Sequence, residues 1–289
     1  MRERICNRRR RSWGRSIGTV LLFSGLLLGP PARAGKGAPA DDPPVKELLS
    51  RLASGEEEQR LDAAARLANF FESVAGRPVD PDLVPGLSRS LQSDPSPVVR
   101  ALAARALGIS GDSRVISLLT AALAKEREIA VRKSVLYALA RYPYNPGAPA
   151  SISALPILPF LQDKKAEVRS SAAFALAEIL DPAAAPHLLS FLQKRRKEED
   201  AFGRQHAARA VGLLAHKEAL DALVAALNKD KSHAVRREAA AAIGLLASEN
   251  DAPSIEALRD SINSEDPYLS LAAEKALAQI RLRSRPSTG

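Results

Sequence analysis

The sequence predicts an all-α chain, an α-solenoid of about seven helical hairpins, and three observations lead there. One motif recurs along the chain with a mean spacing of 35 residues, a period that belongs to stacked supersecondary units. Each copy carries two apolar stripes at the i, i+3, i+4, i+7 spacing of an amphipathic helix. Sustained alternation of β-branched and polar residues is absent, and Ala dominates where strands would want Val, Ile or Thr.

The motif is an Arg, small residues three or four places on, an apolar pair six and seven places on, then Ala or Gly. Its copies in order are QRLDAAARLA at Arg60, VRALAARALG at Arg100, VRKSVLYALA at Arg132, VRSSAAFALA at Arg169, GRQHAARAVG at Arg204 and VRREAAAAIG at Arg236. A weaker seventh copy, LSLAAEKALA, places Ser270 at the Arg position. Each copy predicts the second helix of a hairpin, with the core on residues such as Ala103, Leu107, Ala173, Leu176, Ala240 and Ile243. First helices precede it as Leu-rich segments: VISLLTAALAKE, APHLLSFLQKR, ALDALVAALNK and PSIEALRDSIN.

The turns repeat as well. Six residues before the motif Arg stand Asp94, Glu126, Asp163, Glu198 and Asp230 in the internal repeats, with Ser54 and Ser264 at the ends. These acids and Arg100, Arg132, Arg169, Arg204 and Arg236 predict a structural ladder, each guanidinium facing a carboxylate of its own or a neighbouring repeat. Partly exposed pairs of this kind contribute about 0.3 to 1 kcal/mol each, so they set register while apolar stacking supplies most of the stability. Ser96 before Pro97 and Asp266 before Pro267 read as N-caps followed by Pro at the first helical position.

These residues resemble HEAT repeats, specifically the short, Ala-rich variety also seen in phycobilin lyases. The resemblance covers residues 45–280 and implies an armadillo-type α-α superhelix with the second helices along a concave face. Pro/Gly-containing insertions at Asn69 to Asp82 and Tyr142 to Ser153 are expected to bulge from one edge.

Residues 1–34 have a different chemistry. They hold the only Cys (Cys6), the only Trp (Trp13), eight Arg and one Glu, so they carry most of the formal charge of +9 and leave 34 basic against 32 acidic residues beyond them. A basic start, an apolar run from Ile17 to Gly29 and small residues at Ala32 and Ala34 give the layout of a secretory signal, cleaved after Ala34. The run is shorter than the roughly 20 residues that span a bilayer. The expectation is an exported protein, periplasmic or secreted. It has a signal peptide at 1–34, a disordered linker at 35–44, a solenoid at 45–280 and a disordered basic tail at 281–289.

Without Cys after residue 34, thiol enzymes, disulfide scaffolds and Cys-zinc sites are excluded from the mature chain. His187, His206, His216 and His233 lack the i, i+4 pairing or His-Glu adjacency of helical metal sites. Deoxyhypusine hydroxylase, an iron enzyme on a similar scaffold, is known for repeated His-Glu pairs, and this sequence has no such dipeptide. No cofactor or metal is expected, and the near-neutral mature chain argues against nucleic acid.

The expected function is a protein-protein interaction scaffold with no catalytic chemistry of its own, monomeric and free of a membrane span after signal cleavage. It would bind another protein or an extended acidic segment. The alternative is an enzyme or enzyme subunit on the same scaffold, phycobilin-lyase-like. Positions one and five after the motif Arg point away from the core, which places Arg105, Lys133, Tyr137, Phe174, Arg209 and Arg237 on a basic and aromatic partner-binding strip.

Overall fold

The structure, a computed structural model, describes residues 44–73, 82–144, 152–194 and 197–284. The chain divides into Met1–Pro43 and Pro44–Gly289, and every described residue belongs to the second unit. The expected signal peptide, its cleavage site and most of the two insertions therefore lie outside the described residues. So does the end of the basic tail.

Thirteen α-helices and no strand are found among the described residues. They are α1 (Val45–Ser54), α2 (Glu57–Ser73), α3 (Leu83–Ser93), α4 (Pro97–Ile109), α5 (Arg114–Lys125), α6 (Ile129–Arg141), α7 (Ala166–Ile179), α8 (Ala185–Lys194), α9 (Ala201–Leu213), α10 (Leu220–Lys229), α11 (His233–Leu246), α12 (Ala252–Ile262) and α13 (Pro267–Ser284). The motif copies fall on α2, α4, α6, α7, α9, α11 and α13. These helices pack in sequence against one another, each also resting on its own first helix. The seven hairpins thus form the predicted two-layered solenoid.

Repeat four departs from the pattern, because its first helix is reduced to a 3-10 segment, Leu158–Gln162. Pro156 and Pro159 account for this, since each lacks the N–H that an α-helical ladder needs. The fourth and fifth second helices, α7 and α9, are therefore joined over a thinner first layer.

Close stacking explains why the motif ends in Ala or Gly. A Cβ on Gly108 would lie 2.6 Å from Ala138, and one on Gly212 or Gly244 would lie 2.7 Å from Ala242 or Ala276. The position eight after the motif Arg thus touches the position six after it in the next repeat. Ala103, Leu107, Ala173, Leu176, Ala240 and Ile243 are fully buried, as the stripe predicts.

The acid and Arg ladder runs between repeats. Arg60 reaches Asp94, Arg100 reaches Glu126, Arg132 reaches Asp163 and Arg204 reaches Asp230. Most are two-pronged, as in Arg204, whose Nε and Nη2 donate to the Asp230 carboxylate at 2.7 and 2.9 Å. Each guanidinium also donates to a carbonyl of its own turn, for example Arg100 to Asp94 and Arg169 to Asp163. The carboxylates accept from backbone N–H groups that open the next helix, such as Ser96 onto Asp94 and Ser232 onto Asp230.

Two rungs correct the expectation. Glu198 is exposed in a 3-10 turn, Glu198–Asp200, and the partner of Arg169 is Asp200 instead, at 2.8 and 3.0 Å. The last rung uses Arg237 rather than Arg236, and its acceptor is Asp266 at 2.8 Å through both nitrogens. The reason is common to both: the acid of the usual position is displaced by the tight turn or replaced by Ser264, so the acid two residues later takes its place. Asp266 also accepts from the N–H groups of Tyr268 and Leu269 and so caps α13. Ser96, by contrast, makes no side-chain cap on α4.

Candidate active site

Counted from the motif Arg, positions −2, +2, +5 and +9 follow a 4, 3, 4 spacing and share one helical face, opposite the first-helix layer. Large exposed apolar side chains gather on the second helices: Val98, Phe202, Leu245, Tyr268 and Leu271 are all there. Most of the polar chemistry of this face is concentrated in the central repeats, on α6, α7, α9 and α11.

A row of rings crosses these helices. Tyr137 on α6 lies 5.1 Å from Phe174 on α7, and Phe174 lies 6.0 Å from Phe202 and 4.9 Å from the imidazole of His206, both on α9. Phe202 and His206 meet edge to face at 4.4 Å. Phe202 remains 39% exposed at the rim, whereas His206 is only 8% exposed. The row is built from positions +5 and +5 on neighbouring repeats, with −2 and +2 on the third.

Beside the row sits a polar cluster. Arg209 forms an ion pair with Glu178, which also accepts from the hydroxyl of Tyr144. Glu178 is buried, so its carboxylate is stabilised by these two donors. Burial and the nearby Arg209 charge hold His206 neutral and push its pKa down to about 3. Burial pushes the carboxyl of Glu238 on α11 up, against the pull of Arg209 and a hydrogen bond from Gln205. The Nδ1 of His206 and the Nε of Arg209 have no hydrogen-bond partner among the described residues. A buried polar atom in that state is costly unless something else meets it, and perturbed groups gathered on one face mark functional sites.

The structure thus brings together Tyr137, Phe174 and Arg209 of the predicted strip but uses them differently. Phe174 is 9% exposed and packs among three rings, because the neighbouring helices α6 and α9 place Tyr137 and Phe202 beside it. Arg209 is engaged with Glu178, and Arg237 with Asp266 and the Tyr268 ring, 4.7 Å away. Arg105 and Lys133 are partly buried. Replacing Phe174 by Leu is expected to lower stability by about 1 kcal/mol beyond the area lost, a shift that urea unfolding would detect.

His206 and Glu238 are the residues that the sequence reading missed as a pair. They occupy the same +2 register on successive second helices, where the preceding repeats hold Ser134 and Ser171. Tabulating that column, rather than positions +1 and +5, would have found them.

The chain matches the family described as HEAT repeats over residues 45–140 and 190–278, and the one described as PBS lyase HEAT-like repeat over 168–194. It is similar to deoxyhypusine hydroxylase-B of Oryza sativa subsp. japonica, 29% identical over an alignment of 243 residues that covers 76% of this chain and 78% of that protein. Among solved structures it resembles an engineered protein of the Northeast Structural Genomics Consortium, with a TM-score of 0.55, 23% identity and coverage of 82% and 68% of the two chains. That likeness bears on the fold. The phycocyanin lyase complex of Nostoc sp. PCC7120 gives a TM-score of 0.49 at 19% identity, covering 88% and 94%.

The expectation of a scaffold without catalytic chemistry is corrected by these findings. The relative that matches over three quarters of the chain is an enzyme, which favours the alternative, an enzyme or enzyme subunit on a HEAT-like scaffold. An iron site does not fit the residues present. His187, His206, His216 and His233 lie on α8, on α9, in the turn after α9 and at the start of α11, and no group of three metal-binding side chains forms among the described residues.

Proposed function

The chain belongs to the HEAT-repeat family, and from that premise we propose that it is an enzyme or enzyme subunit. Its reacting centre lies on the second-helix face around His206 and Glu238, and its substrate is a polypeptide. The observation that carries this reading is the buried His206, whose Nδ1 is unmatched, beside the Arg209 and Glu178 pair at the end of the ring row. A neutral imidazole offers a hydrogen bond that polarises or orients a substrate group. Glu238, its proton held more tightly by burial, supplies a proton donor on the adjacent helix. The exposed edge of Phe202 gives an apolar seat at the same place. This is metal-free acid-base chemistry of the kind an addition or elimination step needs.

The protein works outside the cytoplasm, as the basic, apolar and small-residue segments of residues 1–34 argue. Affinity capture of the chain from its native host, followed by mass spectrometry of both it and its partner, tests both statements. The chain is expected to begin at Gly35, and the partner to carry a covalent change that is absent when His206→Gln or Glu238→Gln replaces the native chain. Intact Met1 on cytosolic material would overturn the export reading. A captured partner of unaltered mass, alike for native and variant chains, would overturn the enzymatic one.

A further inference from the structure

The face that carries the central cluster continues onto the last two repeats, where it changes character. Between α11 and α13 lies a groove of about 370 Å³ lined by Leu245, Tyr268, Leu271, Ala272, Lys275 and Gln279, among others. Its walls are apolar and open: Tyr268 is 65% and Leu271 46% exposed, and Leu245 lies across from them on α11. Large apolar side chains held in water on the rim of a concavity are the usual mark of a contact surface.

Charge selects what fits. Lys275 is the only charged residue of the lining, it is exposed, and it forms no ion pair among the described residues. Arg237 sits over the Tyr268 ring with its guanidinium 4.7 Å from the centroid, and Arg283 donates to the carbonyls of Leu245 and Ala247 at the groove's edge. The nearby acids do not offset this within the groove. Asp266 is buried and matched to Arg237, while Glu265 and Glu274 are outside the lining.

We propose that this groove docks a polypeptide segment of the partner in which a large apolar side chain is flanked by carboxylates. The apolar side chain enters between Leu245 and Leu271 and covers the Tyr268 ring, and a carboxylate meets Lys275. The site is separate from the His206 centre, so it stands whether or not that centre is catalytic.

The test is fluorescence anisotropy of the full chain with labelled peptides of about twelve residues. One alternates Glu with Leu and Phe, a second replaces each Glu by Lys, and a third keeps Glu but replaces the apolar residues by Ser. Only the first is expected to bind, more weakly as salt rises. Leu271→Asp and Lys275→Glu should each weaken it about tenfold or more, and Lys275→Glu should gain affinity for the Lys peptide. Both positions are exposed, so unchanged thermal melting is expected to accompany the loss. Equal binding of the acidic and basic peptides, no binding of the first, or variants with native affinity would overturn the proposal. So would self-association of the chain that Leu271→Asp abolishes, which would make a second copy the occupant.

Discussion

Replacing Asp200 by Ala is expected to destabilise the protein by about 3 to 5 kcal/mol, because it strands a buried guanidinium. Asp200 is completely buried and Arg169 is 5% exposed. Their two hydrogen bonds, at 2.8 and 3.0 Å, join α7 of repeat four to the turn between α8 and α9 of repeat five. Exposed Glu199 also accepts from Arg169, at 3.2 Å, but it lies in solvent and cannot replace a desolvated partner. The first layer of this joint is thin, being only the 3-10 segment Leu158–Gln162 at repeat four, so beside the rung the joint relies on contacts between α7 and α9 such as Phe174 with His206 and Glu178 with Arg209. In a stack where each repeat contacts only its neighbours, a weak joint also lowers cooperativity. Urea unfolding followed by circular dichroism should therefore show both a lower midpoint and a broader transition. The paired change Arg169→Met with Asp200→Leu should recover most of the loss, since no unmatched charge remains. A loss below about 1 kcal/mol for Asp200→Ala would mean that the pair behaves as a surface bridge.

That rung also shows where sequence reading stops. The register of Arg and small residues is local and periodic, so it fixed the second helices and their core face without any tertiary information. The identity of the acid at each joint depends on how tightly the turn is wound, and Glu198, Glu199 and Asp200 are chemically interchangeable in the sequence. Only the 3-10 turn decides that the third of them points inward. Phe174 follows the same logic: its outward register is correct, yet it is buried because Tyr137, Phe202 and His206 from two other helices meet over it. The expected export segment and the solenoid face each speak through composition, whereas the proposed site at His206 and Glu238 arises from one column read across repeats. Function was least legible because a scaffold and an enzyme of this architecture share the same periodicity, and the comparison with an enzyme, rather than any motif, separates them.

Stability is expected to fall as the pH drops from neutrality toward 4.5, with His206 as a principal cause. Its folded pKa of about 3 lies below the unfolded value of 6.5. Between these values the unfolded chain takes up a proton that the folded chain refuses, so the folded state loses ground as pH falls. The slope is about 1.4 kcal/mol per pH unit, or a loss of about 2 to 3 kcal/mol from pH 7.5 to pH 4.5. Arg209 opposes a charge on the imidazole, and Glu178 is already matched to Arg209, so Glu178 does not offset the cost of charging the buried ring. Glu238 acts in the opposite sense. Its raised folded pKa means that the protonated carboxyl contributes stability at low pH, which is lost as pH rises above its unfolded value of 4.5. The two are separable by substitution. His206→Gln should flatten the decline between pH 6.5 and 4.5, while Glu238→Gln should steepen it just above pH 4.5, where it removes the counter-trend. Melting temperatures measured every half unit from pH 7.5 to 4.5 check this, with His187, His216 and His233 common to all three chains. A native profile that His206→Gln leaves unchanged would show that the imidazole titrates as a solvent-exposed group, and the buried site described above would lose its basis.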